Sequence, residues 1–134
     1  MCSLSEEKTV RATTDVDTLR SEIRDKSVRV IDVRKEDEYK QNHIPNSVNL
    51  PLANLLSDDS PERAVKIFSS LGIDDETPVV VYDDTFGALA SRIAWTLEYL
   101  GHSDVSLLEV TYGKWKSLGL ENDDKIPSVN SKTH

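Results

Sequence analysis

A chain of 134 residues, 37% of them hydrophobic, can build one domain with a sizeable core, and no apolar run approaches a membrane span. A net charge of −8 argues against nucleic acid and against anionic membrane as partners. It would also repel a small anion unless a basic pocket overrode it. Cys2 is the single cysteine, which excludes an internal disulfide and any cysteine-rich metal site; His43, His102 and His134 are too scattered for a metal centre.

The opening residues MCSLSEEKTV contain no apolar segment of the secretory kind, so the cytoplasm is the expected location. Residues 1–13 read as a loose lead-in. Thr14 and Asp15 can cap a helix with Val16, Leu19 and Ile23 on one face. Val28 to Val33 reads as a strand, followed by a charged helix over Lys35 to Asn42 anchored by Tyr39. The run KEDE at its start is a solvated helix face. The residue before a proline avoids the α region, so His43-Ile44-Pro45 ends that helix. Val48 to Leu50 reads as a second strand, and Pro51 and Leu52 begin a turn with Leu55 and Leu56 apolar.

Ser60-Pro61-Glu62 places a cap and a proline where a helix begins, and Ala64, Ile67, Phe68 and Leu71 give it an apolar face up to Gly72. Val79 to Tyr82 is a continuous β-branched run, as expected of a strand buried on both faces. After Asp83, Asp84, Thr85, Phe86 and Gly87 comes a helix carrying Leu89, Ile93, Leu97 and Leu100, with Ala90 and Ala94 beside them, closed by Gly101. Val105 to Leu108 is a further strand. Thr111 to Leu118 is a helix holding Tyr112 and Trp115, ended by Gly119. Alternating strands and helices predict a three-layer α/β/α domain over residues 14–120, with a mostly parallel sheet of about five strands. Residues 121–134 lack apolar periodicity and read as a tail or the start of a linker.

A strand, a tight loop and a helix N-terminus together favour a bound anion. This chain places two adjacent carboxylates, Asp83 and Asp84, in that loop. As capping groups they would satisfy loop amides. As nucleophiles they would resemble phosphoaspartyl-forming phosphatases or hydrolases. That pattern needs its aspartates one residue apart, together with a downstream lysine and acidic pair not evident here. The capping reading is preferred.

Three stretches, VRVIDVRKEDEYKQNHIPNSVNLPL at 28–52, VVVYDDTFGALASRIAWTLEYLGH at 79–102 and VSLLEVTYGKWKSLGL at 105–120, together resemble the rhodanese family of sulfurtransferases. The first is similar to the family's Asp-x-Arg strand end followed by Glu-Tyr and His-Ile-Pro. The last is similar to its closing strand and helix, with Trp115 in place. The resemblance implies an active loop whose cysteine thiolate takes sulfur from a donor as a persulfide and passes it to an acceptor. Here that cysteine is replaced by Asp83, counting from Tyr82, or by Asp84, counting back from Gly87. The basic residue often found two places after the glycine falls on Leu89. Oxygen cannot form and break the S–S bond, so the loop Asp83, Asp84, Thr85, Phe86, Gly87, Ala88 and Leu89 is expected to keep its shape without the reaction.

YDDTFGALASRIAW, with Ala90, Arg92 and Trp95, is similar to the first domain of tandem sulfurtransferases, where the second domain carries the working cysteine. The tail around Ile126 and Pro127 resembles the start of an interdomain connection, as in a truncated or split tandem protein. The resemblance implies a domain silent by itself that pairs with a cysteine-bearing rhodanese domain, in cis in a longer chain or in trans. Thiosulfate or 3-mercaptopyruvate sulfurtransfer would be the family activity, with small sulfur compounds bound only in that pairing. No cofactor and no metal are expected. The alternative is a stand-alone module that binds a protein through the same loop.

Asp32, Arg34, His43 and Arg92 are expected to support the loop, His43 as a structural turn residue rather than a base. Trp95, Tyr99, Tyr112 and Trp115 are expected as core and interface aromatics rather than a ligand cage. Cys2, with no basic neighbour, is expected to be an ordinary thiol.

Overall fold

The apolar runs around Val30 and Val80 become two of the inner strands of a sheet whose two faces are both covered. The computed structural model describes residues 13–56, 60–74, 76–85 and 87–125; Cys2, Phe86, Ile126, Pro127 and His134 lie outside them. In chain order the elements are β1 (Thr13–Thr14), α1 (Val16–Asp25), β2 (Arg29–Asp32), α2 (Glu36–Gln41), β3 (Ser47–Asn49), α3 (Leu52–Leu56), α4 (Pro61–Ser70), β4 (Val79–Tyr82), α5 (Ala88–Tyr99), β5 (Val105–Leu108) and α6 (Tyr112–Ser117). Among the described residues the sheet has five strands in the order β1-β5-β4-β2-β3, and every pairing is parallel.

Strand alternation sorts the core into two layers. Ile31, Val33, Val79 and Val81 face one way, packing with Leu55, Ala64, Phe68, Ala90, Ile93 and Leu97 of α3, α4 and α5. Val28, Val30, Val80 and Tyr82 face the other way, against Leu19, Tyr112 and Trp115 of α1 and α6. This is the expected three-layer α/β/α arrangement, with the periodic face of each helix buried. The caps predicted at Asp15 and Ser60 form: Asp15 accepts from Thr18 N–H at 2.7 Å and Ser60 Oγ from Arg63 N–H at 3.3 Å. Thr111 Oγ1 also caps α6, accepting from Lys114 N–H at 3.1 Å.

Three local expectations are corrected. Thr13–Thr14 is an edge strand on β5, so Thr14 belongs to the sheet and Asp15 alone caps α1. Leu52–Leu56 is a short helix rather than a turn. Trp95 and Tyr99 are not core aromatics: they stand on the outer face of α5 with 47% and 67% of their surface exposed, stacked on one another at 5.4 Å. Tyr112 and Trp115 are buried as expected. No helix among the described residues is long and apolar enough to cross a membrane.

Register fixes a buried polar network at the carboxyl end of the sheet. Asp32 and Tyr82 are direct partners across β2 and β4, so their side chains share a face, and the Tyr82 hydroxyl donates to Asp32 Oδ2. The same hydroxyl oxygen accepts from Ile44 N–H at 3.1 Å. Burial and the Asp32 charge push the Tyr82 phenol well above its ordinary value, which keeps it protonated as a donor. Tyr82→Phe would leave a buried carboxylate oxygen and a buried amide each one partner short. It is expected to cost about 1–3 kcal/mol, read as a lower urea midpoint at unchanged m-value. A midpoint equal to wild type would show the hydroxyl to be dispensable.

Candidate functional site

Asp83 is the first residue beyond β4, and it continues that strand's alternation. Val79 and Val81 face α5, so Asp83 turns the same way, toward the unpaired amides at the start of that helix. The residue is 3% exposed. Oδ1 accepts the main-chain N–H of Thr85 at 2.9 Å and of Gly87 at 3.0 Å, while Oδ2 accepts those of Leu89 at 2.9 Å and Ala90 at 2.8 Å. The Thr85 hydroxyl adds a fifth bond to Oδ2 at 2.8 Å. Gly87 enters α5 at φ +92°, the left-handed region open to glycine, which bends the loop around the carboxylate. Burial pushes the Asp83 carboxyl upward. The bonds from Thr85, Ala90 and Gly87 outweigh it and hold the group below its ordinary value, so it is an anion near neutrality.

Asp84, next along the chain, turns away from α5 and is exposed. Its Oδ1 accepts from Gly113 N–H at 2.9 Å, and the Asp83 carbonyl accepts from Tyr112 N–H at 3.0 Å. The loop is thereby stitched to the first turn of α6. Sequence spacing left the two aspartates interchangeable; in the structure Asp83 alone lies inside the ring of amides. Ala88 and Leu89 begin α5, with Leu89 supplying a main-chain donor and no charge.

The supporting residues separate. Asp32 and Arg34 form a buried ion pair, Arg34 Nη2 lying 2.8 Å from Asp32 Oδ2 and Nε 3.1 Å from both carboxylate oxygens. Nη2 also donates to the Asn42 carbonyl. Burial acts to lower the Arg34 guanidinium, but Asp32 holds it above its ordinary value, so it stays charged. The guanidinium lies 3.9 Å over the Tyr112 ring, which carries the Asp32–Arg34 pair to the same turn of α6 that holds the loop. His43 sits at the far end of α2, bonded to Tyr39 and Lys125 rather than to the loop. Arg92 lies one turn into α5, 5.1 Å over the Trp95 ring, lining a groove with Leu55, Pro61 and Tyr99.

Two clefts flank Asp84. One of about 450 Å³ runs past Leu89, Thr85, Leu52 and Arg34; the other, of about 370 Å³, is lined by Arg34, Asn42, Gly113 and Lys116. Gly113 and Lys116 were not singled out by sequence. A Cβ on Gly113 would lie 3.2 Å from Asp84 Oδ1, a crowding that no sequence pattern signals.

Residues 15–118 match the family profile described as Rhodanese-like domain. The chain is 29% identical to a sulfur carrier protein of Thermus thermophilus, covering 84% of this chain and 42% of that protein. It is 35% identical to a probable 3-mercaptopyruvate sulfurtransferase of Pseudomonas aeruginosa, covering 61% of this chain and 34% of that one. Among solved structures, the 3-mercaptopyruvate sulfurtransferase SseA of Escherichia coli superposes with a TM-score of 0.77 at 23% identity, over 93% of this chain and 58% of that chain. The chain therefore spans about two-fifths or less of these two curated relatives. Since the matched residues take in all but the two-residue edge strand and the last few described positions, the chain belongs to the rhodanese-like domain family.

Proposed function

We propose that this is a rhodanese-like domain in which Asp83 stands where sulfur-transferring members carry their thiol, and that it is catalytically silent by itself. One observation carries the reading: the Asp83 carboxylate accepts four loop and helix amides, those of Thr85, Gly87, Leu89 and Ala90. Such a ring of donors suits a thiolate or persulfide anion, and here the chain's own oxygen takes it. Each carboxylate oxygen already accepts at least two hydrogen bonds, which leaves no lone pair aimed outward for attack on a phosphoryl group and disfavours a hydrolase. The role that fits is pairing with a cysteine-bearing rhodanese domain, in cis in a longer chain or in trans, whose cleft this domain helps to form. The relatives' greater length supports that reading. We place the pairing in the cytoplasm, where the single cysteine and acidic surface sit without difficulty.

The isolated chain should release no sulfite from thiosulfate and acquire no extra sulfur atom by mass spectrometry; turnover like that of a working sulfurtransferase would reject the proposal. Asp83→Cys tests the cradle itself. Its thiolate can attack the outer sulfur of thiosulfate, forming one S–S bond while the donor's S–S bond breaks and sulfite leaves. The thiol should ionise below the free-cysteine value of about 8.5 and hold one added sulfur. A thiol titrating like a free one would show that the amides do not stabilise a sulfur anion.

The Asp83 charge also sets an acid dependence. Its folded value lies below the ordinary 3.8, so its stabilisation is full above 3.8 and is lost as pH falls through the lower folded value. The stability gap between wild type and Asp83→Asn, measured by urea denaturation at stepped pH, should therefore be full near neutrality and narrow below pH 3.8. A gap constant with pH would mean the charge contributes nothing.

A further inference from the structure

Scattered apolar residues on a surface need no explanation, whereas contiguous ones mark contact sites. Among the described residues three large hydrophobic side chains are exposed, and two of them, Trp95 and Tyr99, stand together on α5. The helix is anchored to the sheet by Ala90, Ile93, Ala94 and Leu97, so its packing asks nothing of the opposite face. Arg92, Trp95 and Tyr99 follow one another there at steps of three and four, which sets them in a row. The two rings stack at 5.4 Å, and the Arg92 guanidinium lies 5.1 Å over the Trp95 ring. Together with Leu55 of α3, Pro61 and Ala64 of α4 and the adjacent Leu100, the row lines a groove of about 270 Å³.

The chemistry of this groove narrows what covers it. Trp, Tyr and Arg are the residue types that supply most of the binding energy of protein contacts. Stacking on Trp95 engages the face of the guanidinium and leaves the N–H groups in its plane, which match a carboxylate two at a time. Among the described residues no carboxylate pairs with Arg92. Charges beyond about 8 Å are screened at physiological salt, so this cation rather than the chain's net charge sets what the groove meets. The volume is below the roughly 300–1,000 Å³ of small-molecule sites and suits protein side chains instead. A second copy answers poorly, because Arg92, Trp95, Thr96 and Tyr99 offer no carboxylate to the Arg92 of a two-fold mate.

We propose that the groove between α3, α4 and α5 docks a segment of a partner protein that carries a large apolar side chain next to an Asp or Glu. The apolar group enters between Trp95 and the Leu55, Ala64 and Leu100 side chains, and the carboxylate takes the in-plane N–H groups of Arg92. Nothing in this depends on whether Asp83 replaces a thiol.

A random peptide library displayed on phage and panned on the full chain tests it. Peptides recovered on the wild type should share a large apolar residue within two positions of an Asp or Glu, and panning on Trp95→Ala should not recover them. One such peptide, synthesised and titrated into nitrogen-15-labelled chain, should move the Trp95 indole N–H and leave that of Trp115, which is bonded to the Glu121 carbonyl, in place. Replacing its acid by the amide should weaken binding about two- to fivefold, and Arg92→Gln should erase that difference. Both substituted side chains are exposed on the outer face of α5, and an unchanged Trp115 indole resonance reports that each variant is folded. Recovery of no shared pattern, of peptides without an acid, or of peptides that bind Trp95→Ala equally would overturn the proposal. So would a dimer in sedimentation that Trp95→Ala dissociates, since the occupant would then be a second copy.

Discussion

A parallel strand that runs into a helix leaves several main-chain N–H groups pointing at one spot, and something has to accept them. In this chain the acceptor is covalently supplied. The Asp83 side chain reaches donors two, four, six and seven residues ahead of it, so the entire cradle is closed by one stretch of eight residues. A loop filled in this way has these four amides satisfied from within its own stretch of chain.

The rest of the carboxyl edge is arranged to keep that loop in place. Tyr112 is the common point: its amide binds the Asp83 carbonyl, its ring lies under the Arg34 guanidinium, and the next amide, that of Gly113, binds Asp84. Arg34 in turn is paired with Asp32, and Asp32 with the Tyr82 hydroxyl. A continuous chain of polar contacts thus joins the ends of β2 and β4 to the first turn of α6. Inside the low-dielectric end of a sheet such bonds are strong when every member is satisfied and costly when one is missing. The Asp32–Arg34 pair therefore acts on the loop through Tyr112, one residue removed from Asp83.

Much of this was legible in the chain and some of it could not be. The unbroken runs at Val79–Tyr82 and around Val30 announce inner strands because burial on both faces removes polar residues from both parities. Ser60-Pro61 and Asp15 announce helix starts because orphan amides need an oxygen. By contrast, Thr13–Thr14 is two polar residues whose strand character comes wholly from pairing with Leu107 and Leu108. Exposure of Trp95 and Tyr99 follows from the periodicity itself: with Ile93 and Leu97 inward, positions two further on face out. Residues 121–125 carry no apolar signal because they are held by main-chain groups together with the Asn122 side chain, which accepts from the Tyr112 hydroxyl, and such polar contacts leave no trace in an apolar pattern.

The choice between two adjacent aspartates shows most clearly what sequence spacing lacks. Counting forward from Tyr82 and backward from Gly87 gives different answers, because the loop does not have the spacing of the sulfur-transferring pattern. Strand parity gives a single answer. A residue in phase with Val79 and Val81 must face α5, and one in phase with Tyr82 must face α6. Asp83 has the first phase and meets four amides at the start of α5; Asp84 has the second and meets Gly113. The alternation that buries the core of β4 therefore also decides, one residue past the end of the strand, which carboxylate becomes the permanent anion of the loop.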